Sequence, residues 1–178
     1  MHWVITEHVH FDRVAGPWLI RRFIDPQAVF SFVPRGLTLD QLTSEQLPPD
    51  AIPLAIPGAE LGPHDDEGPL FVKILNKYGL NDPALRRMGE VVQKGVDYVL
   101  HDYRPASDDR DGQMAAGLLA FSDGMSLLEE SDQRRLDASY VVWDAIYELL
   151  SANQLPAWWL GFETIERTPA HAPPGGPA

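Results

Sequence analysis

The chain has 178 residues, 44% hydrophobic and 22% charged, a length and composition that suit one soluble domain with a full core. Its formal net charge of −12 repels a long polyanion, so this domain is not expected to bind nucleic acid. No cysteine is present, which excludes disulfides, thiolate metal sites and thiol catalysis. No apolar run approaches the ~18 residues of a membrane span, and the first residues lack the basic-then-apolar pattern of a signal peptide. The expectation is therefore a cytoplasmic protein with no membrane partner.

The chain opens with HWVITEHVHF, residues 2–11, whose alternation and β-branched and aromatic content predict a strand. On such a strand His8, His10 and Asp12 share one face, because the side-chain period is two. Asp12 also suits the N-cap of a helix starting near Arg13, although Pro17 argues for a start closer to Gly16. WLIRRFI continues that short helix, and Asp25-Pro26 ends it. AVFSFVP, 28–34, predicts a second strand. LTLDQLTSEQL, 37–47, predicts a short amphipathic helix capped by Thr38. AIPLAI, 51–56, is at best a short or edge strand, because Pro53 interrupts it.

Residues 58–69, GAELGPHDDEGP, read as a loop rich in oxygen ligands. LFVKILNKYGL predicts a helix stopped at Gly79. Asn81-Asp82-Pro83 opens the next helix, which is read through to Tyr103. A charged loop spans 105–112. Two further helices follow, 113–128 and 131–150, the second capped by Ser131 or Asp132. LPAWWLGFE, 155–163, reads as a packed extension, and the Pro/Gly-rich stretch 168–178 as a disordered tail behind a single domain of residues 1–167. Strands come early and helices late. The fold class is α+β, with a small sheet from the N-terminal half packed against a mainly helical C-terminal half.

Three constellations could carry chemistry. Glu60, His64, Asp65, Asp66 and Glu67 place four carboxylates and one imidazole within eight residues, a donor set for Mn, Fe, Zn or Ni; an acidic surface loop is the plainer alternative. Glu90, Asp97 and His101 share a helix face. Asp97 and His101, four apart, can reach one ion, or they can form a carboxylate-capped histidine. Arg13, Arg21 and Arg22 can grip an oxyanion through guanidinium forks, or simply face solvent. No nucleophile elbow, phosphate loop or dinucleotide fingerprint is present. Trp143, Trp158 and Trp159 suit a core or an interface, and the aromatic segment suits a homodimer contact.

DRVAGPWLIRRFIDP, from Asp12 to Pro26, resembles the signature of the chromate-resistance protein ChrB family, in its C-terminal domain. AIPLAIPGAELGPH, KYGLNDPAL, the GVD at 95–97, AAGLLAFSDGMSLL and VVWDAIYELL resemble further segments of that family in the same order. The resemblance runs from about residue 3 to 152 and corresponds to a stand-alone C-terminal domain. It implies a role in metal or chromate stress, regulatory or auxiliary, and carries Asp12, Arg13, Trp18, Arg21, Arg22, Glu60, His64 and Asp97 onto family motifs. His101 rests on helix spacing alone. The chain departs from the family pattern where Gly16 replaces a cysteine, Pro63 replaces the first histidine of a pair, and no cysteine lies near Gly68.

These readings combine into one expectation. Glu60, His64, Asp97 and His101 bind one divalent metal, with Asp12 as a ligand or outer partner. Arg13 and Arg21 orient a small anionic ligand on its open position, and His101 or Asp66 serves as acid–base if the site is catalytic. Metal-assisted hydrolysis, lyase and redox chemistry stay open, as does a non-catalytic sensor or accessory domain.

Overall fold

The computed structural model describes residues 1–152. The aromatic segment at 155–163, the tail at 168–178 and the domain boundary at 167 lie outside the described residues. Three short strands, β1 (His2–Thr6), β2 (Val29–Val33) and β3 (Ile52–Leu54), form a parallel sheet in the order β2-β1-β3. Trp3 of β1 pairs with Phe30 on one side and Ile52 on the other. Five α-helices accompany the sheet among the described residues: α1 (Asp12–Phe23), α2 (Leu70–Lys77), α3 (Pro83–Leu100), α4 (Arg110–Leu128) and α5 (Asp132–Ser151). The predicted α+β class holds.

Parallel sheets are normally covered on both faces, and the central strand β1 shows it. Trp3 and Ile5 enter the main core with the helices. Val4 points the other way, into a smaller cluster with Val33 and Ile56 that is covered by Leu39, Leu42 and Leu47. At the centre of the main core lies α1, in which every residue from Val14 to Ile20 is buried. A helix apolar on all sides belongs in an interior. This burial overrides the weak point at Pro17, which has no N–H to give to the carbonyl four residues back, so α1 starts at Asp12 rather than near Gly16. A methyl group on Gly16 would come 2.8 Å from Leu70 Cδ2, so the missing side chain lets α1 and α2 approach closely.

Several further boundaries differ from expectation. β1 stops at Thr6 instead of running to Phe11, because the amides of His8 and Val9 turn to the carboxylate of Asp132, each at 2.8 Å. His8 and Phe11 take positive φ values of 58° and 43°, so His8, His10 and Asp12 share no strand face. Residues 37–47 form only a single 3₁₀ turn at Leu39–Gln41, closed by the Thr38–Gln41 capping box. Beyond it Thr43 and Gln46 bond to each other's backbone, a local competitor of helical pairing. The helix read through to Tyr103 ends at Leu100, with His101 as its C-cap and Asp102 in the left-handed region at φ 55°. α4 starts at Arg110, inside the stretch expected as a charged loop, because Asp109 caps it by accepting from the amide of Gly112. Asp82 accepts from the amides of Ala84 and Leu85 at the start of α3, and Ser131, rather than Asp132, caps α5.

Candidate functional site

In open parallel sheets, ligands bind outside the carboxyl ends of the strands, where connections leave in opposite directions. Here that point lies beside β1, whose neighbours β2 and β3 flank it on either side. A cleft of about 270 Å³ opens there. The segment after β1 supplies His10, Phe11, Asp12 and Arg13; the turn after β2 supplies Arg35; the residue after β3 is Ala55. Pro63 and His64 close one side. The lining from the helices is apolar, with Val96, Val99 and Leu100 from α3 and Leu119 from α4.

Among the described residues, two of the four non-glycine residues with positive φ, Phe11 and Ala55 at 43° and 50°, line this cleft. Backbone strain of this kind concentrates at functional sites. Phe11 is seated against α3 at Gly95, where a Cβ would lie 2.2 Å from Phe11 Cζ. Gly95→Ala is therefore expected to push the ring out and lower stability by about 1–3 kcal/mol. Urea denaturation checks this, and an unchanged midpoint would mean that the ring does not need the space.

Arg13 donates to Thr6 Oγ1 at 3.1 Å, which ties it to the end of β1. Desolvation lowers its pKa from the ordinary value, and the nearby charge of Arg35 lowers it further, against the pull of Asp12 and Asp132. The two guanidiniums thus feel each other across the cleft. Among the described residues neither has a carboxylate within salt-bridge distance, a state shared with Arg86 and Arg110 but not with Arg21, Arg22, Arg87, Arg104, Arg134 and Arg135. His10 Nε2 lies 2.9 Å from Asp123.

Asp12 has a structural task as well as a place at the cleft. Its two oxygens accept from the amides of Leu70 and Phe71, at 2.8 and 3.0 Å, and so cap α2 rather than its own helix. The residue is half-buried. Desolvation still pushes its carboxyl above the ordinary range, opposed by those two amides, His64 and Arg13.

His64 and His101 bring their ring centroids to 6.1 Å. Behind His101, Asp97 Oδ1 lies 2.9 Å from Nδ1 and also accepts from Gln93 at 2.9 Å. Nδ1 of His64 is buried with no partner. Of the predicted metal set, Asp12 and His64 line the cleft, and His101 with Asp97 lies beside His64, next to the lining residue Leu100.

The remaining predicted residues lie elsewhere. Glu60 is exposed and pairs with Lys77 at 2.5 Å. Asp66 is exposed at the tip of the Asp65–Gly68 turn, while Asp65 is held by the buried Lys73. Arg21 faces α5, bonding to Asp137 at 3.1 Å, with the rings of Phe30 and Tyr140 at 5.5 and 5.1 Å. Arg22 pairs with Asp144 and Glu148. Among the described residues no group of three or more histidines and carboxylates is spaced to hold a metal ion by itself, and no helix is long and apolar enough to cross a membrane.

Arg35 escaped the sequence reading. Its signal was modest: a Pro-Arg-Gly turn directly after a strand, with Gly36 at φ 88°. His10 lies beyond the end of β1, so it reaches the cleft from the loop and not from a strand face.

Comparison with known proteins agrees with the residue pattern. The chain is 37% identical over 91 residues to Protein ChrB of Cupriavidus metallidurans, an alignment that covers 51% of this chain and 25% of that protein. The match thus spans about a quarter of the relative's length. No solved structure matches the chain. The family model described as ChrB, C-terminal domain, matches residues 3–150, from β1 almost to the end of α5, and the chain belongs to that family.

Proposed function

We propose that the domain binds a small oxyanion in the cleft and one divalent metal, Mn, Fe, Zn or Ni, at its His64–His101 rim, as part of a response to chromate or metal stress. The observation that carries the anion part is the pairing of Arg13 and Arg35. In a chain of net charge −12, two neighbouring guanidiniums without carboxylate partners face one cleft. Guanidinium forks match the oxygens of a tetrahedral dianion or a carboxylate.

The metal part is supported by chemistry at the rim. Asp97 against His101 Nδ1 follows the carboxylate–histidine arrangement that orients a metal-bound imidazole. The unpartnered Nδ1 of His64 is a buried donor or acceptor in want of a partner. Two imidazoles leave several coordination positions to water or to the anion. Such a site suits a sensor or accessory role, and it also leaves room for catalysis.

Titration with inorganic phosphate tests the anion site. Arg13→Ala and Arg35→Ala are each expected to raise Kd about tenfold or more, since a charge-assisted bond contributes roughly 1.5–3 kcal/mol. Unchanged affinity in both would sink the anion reading. Elemental analysis tests the rim: metal near one equivalent in the wild type should fall away in His64→Ala and His101→Ala. A wild type that takes up none of the four metals would remove the metal part.

A further inference from the structure

The cleft has two unlike walls. The strand ends supply charge, chiefly Arg13 and Arg35 beside Asp12, and the residues of α3 and α4 that line the cleft, among them Val96, Val99, Leu100 and Leu119, are apolar. A bare inorganic oxyanion makes no use of the second wall. Such an ion gives up hydration beside apolar surface and gains no bond there.

Val99 and Leu100 sharpen the point. They are 62% and 59% exposed, among the most exposed large hydrophobic residues described, and both sit on the cleft. They end α3 and adjoin His101, which belongs to the candidate metal rim. Exposed apolar side chains grouped at a concave site with a few convergent polar groups mark a place for a ligand with an apolar part. The volume of about 270 Å³ exceeds what a tetrahedral ion fills and leaves room for a ring.

Resting on the anion reading above, we infer that the ligand is an organic anion: an apolar or aromatic body carrying a phosphate or carboxylate head. The head lies between Arg13 and Arg35. The body lies along Val96, Val99, Leu100 and Leu119.

Calorimetry with phenyl phosphate and inorganic phosphate, at about pH 8 where both are dianions, tests this. Phenyl phosphate is expected to bind at least tenfold tighter. The double variant Val99→Ser/Leu100→Ser should erase that preference and leave inorganic phosphate binding intact. Both residues are exposed, so the fold does not depend on them. Arg35→Ala should weaken both ligands. Equal affinity in the wild type, or a preference that survives the double serine variant, overturns the inference and leaves the anion site standing. Binding of neither ligand overturns both.

Discussion

Trp18→Ala is expected to lower the unfolding free energy by about 3–5 kcal/mol, and Tm by roughly 10 °C for a domain of this size. Trp18 is 2% exposed and lies where three helices meet. Its ring stacks on Phe71 of α2 at 6.4 Å with only 9° between the planes. It lies 6.5 Å from Trp143 and 6.2 Å from Tyr147 of α5, and 5.7 Å from Phe23 of its own helix. Nε1 donates to Asp144 at 3.0 Å. Alanine would leave a cavity that the backbones of α1, α2 and α5 cannot close together. Trp18→Phe separates the contributions: it keeps an aromatic ring in the cluster and removes the bond to Asp144, so its cost should be about 1–2 kcal/mol. Urea denaturation of both variants provides the test. A loss below about 1 kcal/mol for alanine would mean that the helices are not joined at this ring.

Trp18 also marks what could be read from residue order. Its motif, WLIRRFI, announces a short helix, and cap residues elsewhere announce several other boundaries. Asp82-Pro83 opened α3, Ser131 opened α5, and Gly79, at φ 63°, followed α2 as expected. These signals are local, so they survive translation into structure.

The misreadings share a different cause. HWVITEHVHF carried a strand pattern throughout, yet Asp132, far along the chain, takes the two amides that would have extended it. Arg21 and Arg22 looked like partners of Arg13, but they lie near the other end of α1, where acids of α5 meet them. The helical period placed Asp97 beside His101 correctly, because that relation lies within one turn. Spacing could not place Glu60, which pairs with Lys77 of α2. Arg35 stood alone in the sequence, and only the parallel pairing of β2 with β1 brings it to Arg13. The family match covers the same motifs but assigns no partner to any of them.

Asp132→Ala is the substitution that should damage fold and cleft together. The carboxylate does three jobs. It accepts the amides of His8 and Val9, each at 2.8 Å, and it pairs with Arg135 at 3.2 Å. Arg135 is only 8% exposed and otherwise donates to the carbonyls of Glu129 and Ser126. Removing one partner of a buried ion pair leaves the other charge uncompensated, so a loss of about 3 kcal/mol is expected. Asp132→Asn should recover only part of it, since one amide oxygen replaces two carboxylate oxygens and the charge is gone. Asp132→Ala/Arg135→Met should be more stable than Asp132→Ala alone, because the unpaired guanidinium is then absent. The same carboxylate holds the loop that sets the strained Phe11 and aims Arg13 into the cleft. Freed from Asp132, that loop can straighten, Phe11 can leave Gly95, and Arg13 loses its fixed relation to Arg35. Phosphate affinity, measured at a temperature where the variant is folded, should therefore fall several-fold although Asp132 does not line the cleft. Full affinity in a destabilised but folded Asp132→Ala would show that the other anchors of the segment, Thr6 on Arg13, Asp12 on α2 and the Phe11 amide on Ser122, suffice to position Arg13.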